Sequence, residues 1–332
     1  MTGQTIDISI IIPTLNGVGR IEKCLKSIFD QDYPRKKYEI IVVDDESDDG
    51  TIEICRSYGV DKVLISGFRD IEMSKALGIR KSIGKYILFI DDDNRLVESS
   101  WLSKGIAILD EDLEIGGVES AYFSYKKSDP VANRYCSLMG TNDPLVYYLQ
   151  RTDRLAYFEA SWSKPCKEFR SNKNHMKLRF FESQIPTLGS QGFLTRQSLI
   201  SEFKFQDRFL HMDYCLHVGK GLSPYFAMTL DSVEHDHCTS LRQFVKKCRR
   251  NGKIYLSDGN TRSYSYGLTL SKQMKLAVIA LTLVIPIKDS FRGYRKVKDI
   301  AWFLHPLFTV WVFCVYSKMY LCNRLALLNR FN

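Results

Sequence analysis

The sequence predicts an α/β fold with a doubly wound, mainly parallel (mixed) sheet flanked by helices and a C-terminal helical segment. Three observations predict it. Short β-rich apolar runs alternate with stretches of helical periodicity from Ile8 to Phe89. Two of those runs end abruptly in carboxylates, at Asp44-Asp45 and at Asp91-Asp92-Asp93. Beyond Leu270, apolar stretches interleave with bases in a way the first part of the chain does not.

Ile8-Ser9-Ile10-Ile11-Ile12, closed by Pro13 and the turn residues Asn16-Gly17, reads as the first strand. From Arg20 to Gln31 the apolar positions Ile21, Cys24, Leu25, Ile28 and Phe29 recur at helical spacing. A second strand is expected over Glu39 to Val43, a helix from Thr51 to Tyr58, and a short strand over Val63 to Ile65. A helix over Asp70 to Ile83, ended by Gly84, leads into the strand at Tyr86. This β-α-β-α-β order implies parallel strands, whose C-terminal ends share one edge of the sheet. Open α/β sheets bind their ligands at that edge.

Composition narrows the partners. The 332 residues carry 47 Lys+Arg against 38 Asp+Glu, a net charge of +9 that suits anionic partners. No nucleic-acid-binding motif accompanies the charge, so nucleotide phosphates and anionic lipid are favoured over nucleic acid. The nine cysteines form no C-x-x-C pair, and Met1 to Ile11 is no signal peptide, so buried free thiols in a reduced compartment are expected. The first helix is not opened by G-x-G-x-x-G, which removes the main support for a nicotinamide cofactor. Carboxylates at a sheet edge suit Mg2+ or Mn2+, hard cations that take carboxylate and diphosphate oxygens.

The series Ser9-Ile10-Ile11-Ile12-Pro13-Thr14-Leu15-Asn16, then Val42-Val43-Asp44-Asp45-Glu46-Ser47-Asp48-Asp49-Gly50-Thr51, then Lys75-Ala76-Leu77-Gly78 and Ile90-Asp91-Asp92-Asp93 resembles glycosyltransferase family 2. The resemblance implies a GT-A fold and an inverting, non-processive, membrane-associated transferase using a UDP- or GDP-linked sugar. It implies that Pro13, Thr14, Asn16, Asp44 and Asp45 hold the nucleotide and that Lys75 stands where an arginine usually faces the diphosphate. Asp91 and Asp93 match the D-x-D pair, with Asp93 the main metal ligand; Asp92 borders the donor as a supporting acid. Ala76 replaces the family's usual asparagine.

The same resemblance implies a second half to the site. Thr187 to Arg196 matches a small-residue loop before an arginine, which puts Gly192 and Arg196 at the donor sugar. Asp213 falls at the position of the catalytic base, although Met212 replaces the acid that normally precedes it. Either His235 or His237 would complete the metal or diphosphate contacts; on a strand the two would share a face. Lys164, Lys167, Arg170, Lys173 and Lys177 read as a basic face turned either to phosphate or to solvent, with solvent favoured.

Leu276 to Ile287 is apolar but shorter than the roughly 20 residues a spanning helix needs. Ala301 to Tyr316 is apolar and aromatic, and His305-Pro306 is expected to break it. With bases between them, these segments read as lying in the headgroup boundary or dipping in and out of one leaflet at the cytoplasmic face of the membrane, where a polyprenyl-linked or polysaccharide acceptor is met; the competing reading is a buried helical hairpin closing the soluble domain. Residues 1–255 are thus expected to form the transferase domain, with a nucleotide-binding half over 1–100 and an acceptor half over 101–255. Residues 256–332 are expected to form the membrane-associated helices. The alternative is a non-catalytic member of the fold that binds nucleotide-sugar or another transferase.

Overall fold

The computed structural model describes residues 5–257 and 262–328. Along the chain the elements are β1 (Ile8–Thr14), α1 (Val18–Phe29), β2 (Tyr38–Asp44), α2 (Thr51–Ser57), β3 (Lys62–Ile65), α3 (Ile71–Lys81), β4 (Tyr86–Phe89), β5 (Asn94–Leu96), α4 (Trp101–Glu111) and β6 (Ile115–Phe123). Then follow α5 (Val131–Met139), α6 (Pro144–Tyr148), β7 (Glu168–Ser171), β8 (His175–Arg179), β9 (Phe193–Arg196), α7 (Gln197–Glu202), α8 (His211–Val218), β10 (Tyr225–His235), α9 (Leu241–Ser257), α10 (Leu270–Thr282), α11 (Val284–Lys296) and α12 (Leu304–Leu328).

The chain forms two compact units that interleave in sequence: Met1–Ser124 with Pro165–His235, and Tyr125–Lys164 with Asp236–Asn332. The chain crosses between the units three times, at 124/125, 164/165 and 235/236. A change in composition marks where the apolar C-terminal stretch begins, but not that residues 125–164 share a core with it.

The first unit holds one mixed sheet in the order β3-β2-β1-β4-β9-β6-β10-β8-β7, with β5 paired to β10. β3, β2, β1 and β4 are parallel, as the alternation predicts, and β9 enters antiparallel between β4 and β6. The parallel strands are apolar on both faces because helices cover both. Ile8, Ile10, Ile12, Ile40, Val42 and Leu88 join Leu25, Ile28 and Trp101 in one core. Gly84 is required where the chain returns to the sheet, since a Cβ there would stand 2.5 Å from the Ser9 backbone nitrogen. Lys177 is held by Asp112 and Glu114, each at 2.7 Å, rather than solvated.

The second unit is helical. Tyr135, Phe244, Phe308, Trp302 and Val312 share its core. The Phe244 and Phe308 rings stack at 3.9 Å. His305, fully buried, lies between the hydroxyls of Tyr135 (2.9 Å) and Tyr148 (2.8 Å), and the Tyr148 hydroxyl also donates to Asp289 at 3.1 Å. Burial drives the imidazole pKa down to about 3, so His305 is neutral. The break expected at Pro306 does not occur. Pro306 is the third residue of α12, within the first turn, where its missing N–H would have had no intrahelical partner.

Lys164, also expected in solvent, is buried and donates to the Thr152 carbonyl at 3.0 Å and to that of Arg154. Burial lowers its ammonium pKa to about 8, although Glu159 and Asp153 pull the other way. The unfolded chain therefore binds a proton at higher pH than the native one, and stability rises with pH across that interval. Denaturant unfolding between pH 8 and 9.5 is expected to show a gain of about 1 kcal/mol per pH unit, which Lys164→Met removes.

Candidate active site

The parallel register places the C-terminal ends of β1, β2 and β4 together: Thr14 pairs with Asp44, and Ile11 with Phe89. Asp91, Asp92 and Asp93 follow β4 directly, so three carboxylates leave one strand end side by side. Each finds a different partner. Lys75 Nζ on α3 stands 3.7 Å from Asp91 Oδ1. Asp92 accepts from Thr14 Oγ1 at 2.6 Å and from Arg20 on α1 at 3.1 and 2.9 Å. His235 Nε2 at the end of β10 lies 3.5 Å from Asp93 Oδ2.

The Asp92 contacts form a brace within the wall of the site. They tie the end of β1, the first turns of α1 and the end of β4, which explains why Gly17 lies between them. A Cβ at position 17 would stand 2.4 Å from Asp92 Oδ2 and 2.5 Å from Thr14 Oγ1. Burial raises the Asp92 carboxyl above its ordinary range, and the Arg20 hydrogen bond opposes that rise. Both carboxylate oxygens of Asp92 are thus engaged by the protein.

Burial also pushes the Asp91 carboxyl up; Lys75, His211 and His235 pull it down, while Asp93 repels it. Burial works to lower the Lys75 ammonium, but Asp91 and Glu72 outweigh it and hold it above its usual value. Glu72 and Lys75 lie three residues apart on one face of α3. Glu72 Oε1 in turn meets His211 Nδ1 at 3.0 Å. A line of polar contacts therefore runs from His211 on α8 through Glu72 and Lys75 on α3 to Asp91. Arg20, Glu72 and His211 were not singled out from the sequence. Their partners lie 72 and 139 residues away, beyond the reach of local pattern.

The acidic run after β2 shapes the neighbouring loops. Asp44 accepts from the Ser47 amide (2.8 Å) and hydroxyl (2.6 Å). Ser47 Oγ accepts from the Asn16 amide at 2.8 Å, and Asn16 Oδ1 from the Asp48 amide at 3.1 Å. Asp45 accepts from the Phe68 amide at 3.2 Å and from the hydroxyls of Ser66 and Ser74. Asp44, Asp45 and Asn16 thus reach the expected edge with their side chains engaged by the protein. Pro13 is a buried strand residue in register with Val43.

Downstream, β9 runs antiparallel to β4 with Phe193 opposite Phe89 and Arg196 opposite Tyr86. This separates two residues the sequence placed together. Gly192, at φ +75°, donates its amide to Phe89 O at 3.0 Å, at the carboxylate edge. Arg196 stands at the opposite edge, where its guanidinium donates to the carbonyls of Ile115 (2.6 Å), Asp112 (3.1 Å) and Leu109. Its guanidinium is thus engaged within the protein, away from the carboxylate edge. Asp213 is buried in the first turn of α8, two residues after His211. The strand carrying His235 ends there, so His237 does not share its face and lies buried in the second unit.

Among the described residues no three or more His, Cys, Asp or Glu side chains form a group that could hold a metal ion. Asp93, His235 and Asp91 instead make an incomplete set rich in oxygen, and Asp91 Oδ1 is buried without a hydrogen bond. That donor set fits a hard divalent cation, which usually keeps waters and takes further oxygens from substrate phosphates.

The model of Glycosyl transferase family 2 matches residues 9–180, more than half of the chain. The chain belongs to this family. Glycosyltransferase AglE of Haloferax volcanii is 34% identical over 145 residues, which cover 41% of this chain and 46% of that protein. A GalNAc(5)-diNAcBac-PP-undecaprenol beta-1,3-glucosyltransferase of Campylobacter jejuni is 33% identical over 99 residues, 28% of this chain and 31% of that one. The chain thus matches less than half the length of these curated relatives. Among solved structures, the mannosyltransferase PcManGT of Pyrobaculum calidifontis, in complex with GDP-Man and Mn2+, superposes with a TM-score of 0.55 at 14% identity, covering 95% of this chain and 87% of that one. That likeness establishes the GT-A fold of this family 2 member.

Removing the brace is a test of its structural role. Asp92→Ala leaves Arg20 and Thr14 without their acceptor and is expected to cost about 2 kcal/mol in urea unfolding at unchanged m-value. The stabilisation of the fold by added nucleotide-sugar, read by thermal shift, is expected to persist.

Proposed function

We propose that this chain is a metal-dependent, inverting glycosyltransferase that moves a sugar from a UDP- or GDP-linked donor to a lipid-linked or polysaccharide acceptor at the cytoplasmic face of a membrane. The observation that carries the reading is the meeting of Asp91, Asp93, Lys75 and His235 at the C-terminal edge of a family 2 sheet. Glycosyl transfer leaves a nucleoside diphosphate, and such an edge answers its charge. Asp93, with Asp91 and His235, would hold a divalent cation, Mg2+ or Mn2+, whose chemistry would be to supply positive charge to the diphosphate. PcManGT, in complex with GDP-Man and Mn2+, supports donor class and metal by analogy, and the C. jejuni relative supports a lipid-linked acceptor.

The remaining steps belong to the chain's own side chains. Lys75 adds a buried cation beside the leaving group, in place of the usual arginine. Pro13, Thr14, Asn16, Asp44, Asp45 and Gly192 form the loops against which the nucleotide and sugar rest. Asp44 and Asp45 act through the loop shapes they fix, unless a nucleotide displaces their present donors. Asp213 takes the proton from an acceptor hydroxyl as its oxygen attacks the anomeric carbon and the bond to the diphosphate breaks. His211, held by Glu72, stands beside the same edge.

Membrane association rests on the helices of the second unit. Ile300–Asn323, with a mean hydropathy of 1.6 over its most apolar window, is the one described helix long and apolar enough to cross a membrane by length and composition, and 33% of that window is buried inside the protein. His305 and Thr309 lie on its buried face. That face suits a core helix of the unit with one side turned outward.

Incubation with a panel of UDP-, GDP- and dTDP-sugars and Mn2+ is expected to release nucleoside diphosphate from one or two donors. Asp93→Asn is expected to reduce that release by at least ~100-fold while the protein remains folded. Silence across the panel with nucleotide binding retained would establish the non-catalytic alternative. For transfer to a hydroxyl acceptor, Asp213→Asn is expected to lower kcat by ~100-fold or more with little change in donor KM; full retention of kcat removes Asp213 as the base.

A further inference from the structure

We propose that the bent pair α10 and α11 is an elbow that inserts its apolar tip into one leaflet of an anionic bilayer. This rests on the membrane-associated reading above and assigns it a surface and a class of lipid.

The bend has a local cause. Pro286 is the third residue of α11, and in one continuous helix its ring would run into the carbonyl of Thr282. The chain turns instead at Leu283, whose φ of 60° is a costly left-handed conformation for a branched residue. The two helix axes then differ by 68°. Helix resumes at once, with the Ile287 amide donating to Leu283 O at 2.9 Å.

Each helix already has a face packed into its unit. Leu276, Ile279 and Ala280 are buried on α10, and Pro286, Ser290 and Gly293 on α11. Gly293 is needed there because a Cβ would meet the Trp302 ring at 2.3 Å. The outward faces are nevertheless apolar at the bend: Val278, Leu281, Val284, Ile285, Ile287 and Phe291 are all exposed, Leu281 at 68% and Val284 at 67%. Folding of the unit does not account for them. The patch continues onto the turn Ile300–Phe303, where the exposed Phe303 ring meets Phe291 at 5.5 Å.

Charge selects the occupant. Residues 270–288 contain no acid, and the exposed bases Lys288, Arg292, Arg295, Lys296 and Lys298 follow the apolar tip. An apolar tip with a cationic stem matches a leaflet with anionic headgroups, each base near the surface adding to the attraction. A second copy of this chain would bring five like charges against five. The stretch Leu276 to Ile287 is shorter than the roughly 20 residues of a span, so it dips into one leaflet without crossing.

Flotation of the full chain with vesicles of phosphatidylcholine, with and without 30 mol% phosphatidylglycerol (about a third anionic, enough for polybasic attraction), tests this. The wild type is expected to float with the anionic vesicles, and Leu281→Glu/Val284→Glu to lower the bound fraction by ~10-fold or more while the melting temperature is unchanged. Leu281→Trp, which keeps the site apolar, is expected to show a blue-shifted emission quenched by brominated lipid. Equal flotation of the double variant, or an unquenched Trp, overturns the elbow while leaving membrane association intact. No flotation of the wild type overturns both. A lipid-free dimer abolished by the double variant overturns the lipid assignment in favour of a second copy.

Discussion

Three adjacent carboxylates at one strand end repel one another, and the site depends on how that repulsion is resolved. Asp91, Asp92 and Asp93 are each answered from a different element: Lys75 on α3, Arg20 on α1 and His235 at the end of β10. The three partners come from three elements, so each acid has its own contact. The middle acid holds the wall together, and the outer two remain at the edge. A binding site and a structural joint are thus built from one tripeptide by partner choice alone.

The same economy appears in the loops around the edge. Hydroxyls and carboxylates of Asp44, Asp45, Asn16 and Ser47 bond one another and nearby amides, so the loops after β1 and β2 are fixed by side chains rather than by a sheet ladder. Such preorganisation limits the conformational entropy lost when a ligand binds. The second unit instead buries polar groups in pairs and chains, as with His305 between two tyrosines. A satisfied buried network of this kind fixes one arrangement of helices, where an all-apolar core would allow several.

Much of the first unit was legible because its signals are local. Strands β1 to β4 and their helices follow from period and turn residues, and the D-x-D pair stood out as acids where an apolar run stops. What was not legible depends on contacts distant in sequence. Nothing near Arg196 tells which edge of the sheet it occupies, since that is set by the antiparallel direction of β9. Nothing near Asp92 reveals Arg20, and nothing near His211 reveals Glu72. Pro306 was misread because a proline breaks a helix or begins one according to where the first turn falls. The basic residues Lys164 and Lys177 were misread because charge alone does not report a buried partner.

The interleaving of the two units bears on the order in which the chain can fold as it is made. The sheet of the first unit is completed only by β10, which ends at His235, yet residues 125–164 emerge before it. That segment carries Tyr135, Leu138, Met139 and Phe158, apolar residues whose covering helices α9 to α12 are synthesised well after it. At elongation rates of roughly 5–20 residues per second, the segment waits for several seconds with its apolar face uncovered. The nascent chain thus has an interval of vulnerability to aggregation, which ends only when the helices that form the elbow have left the ribosome.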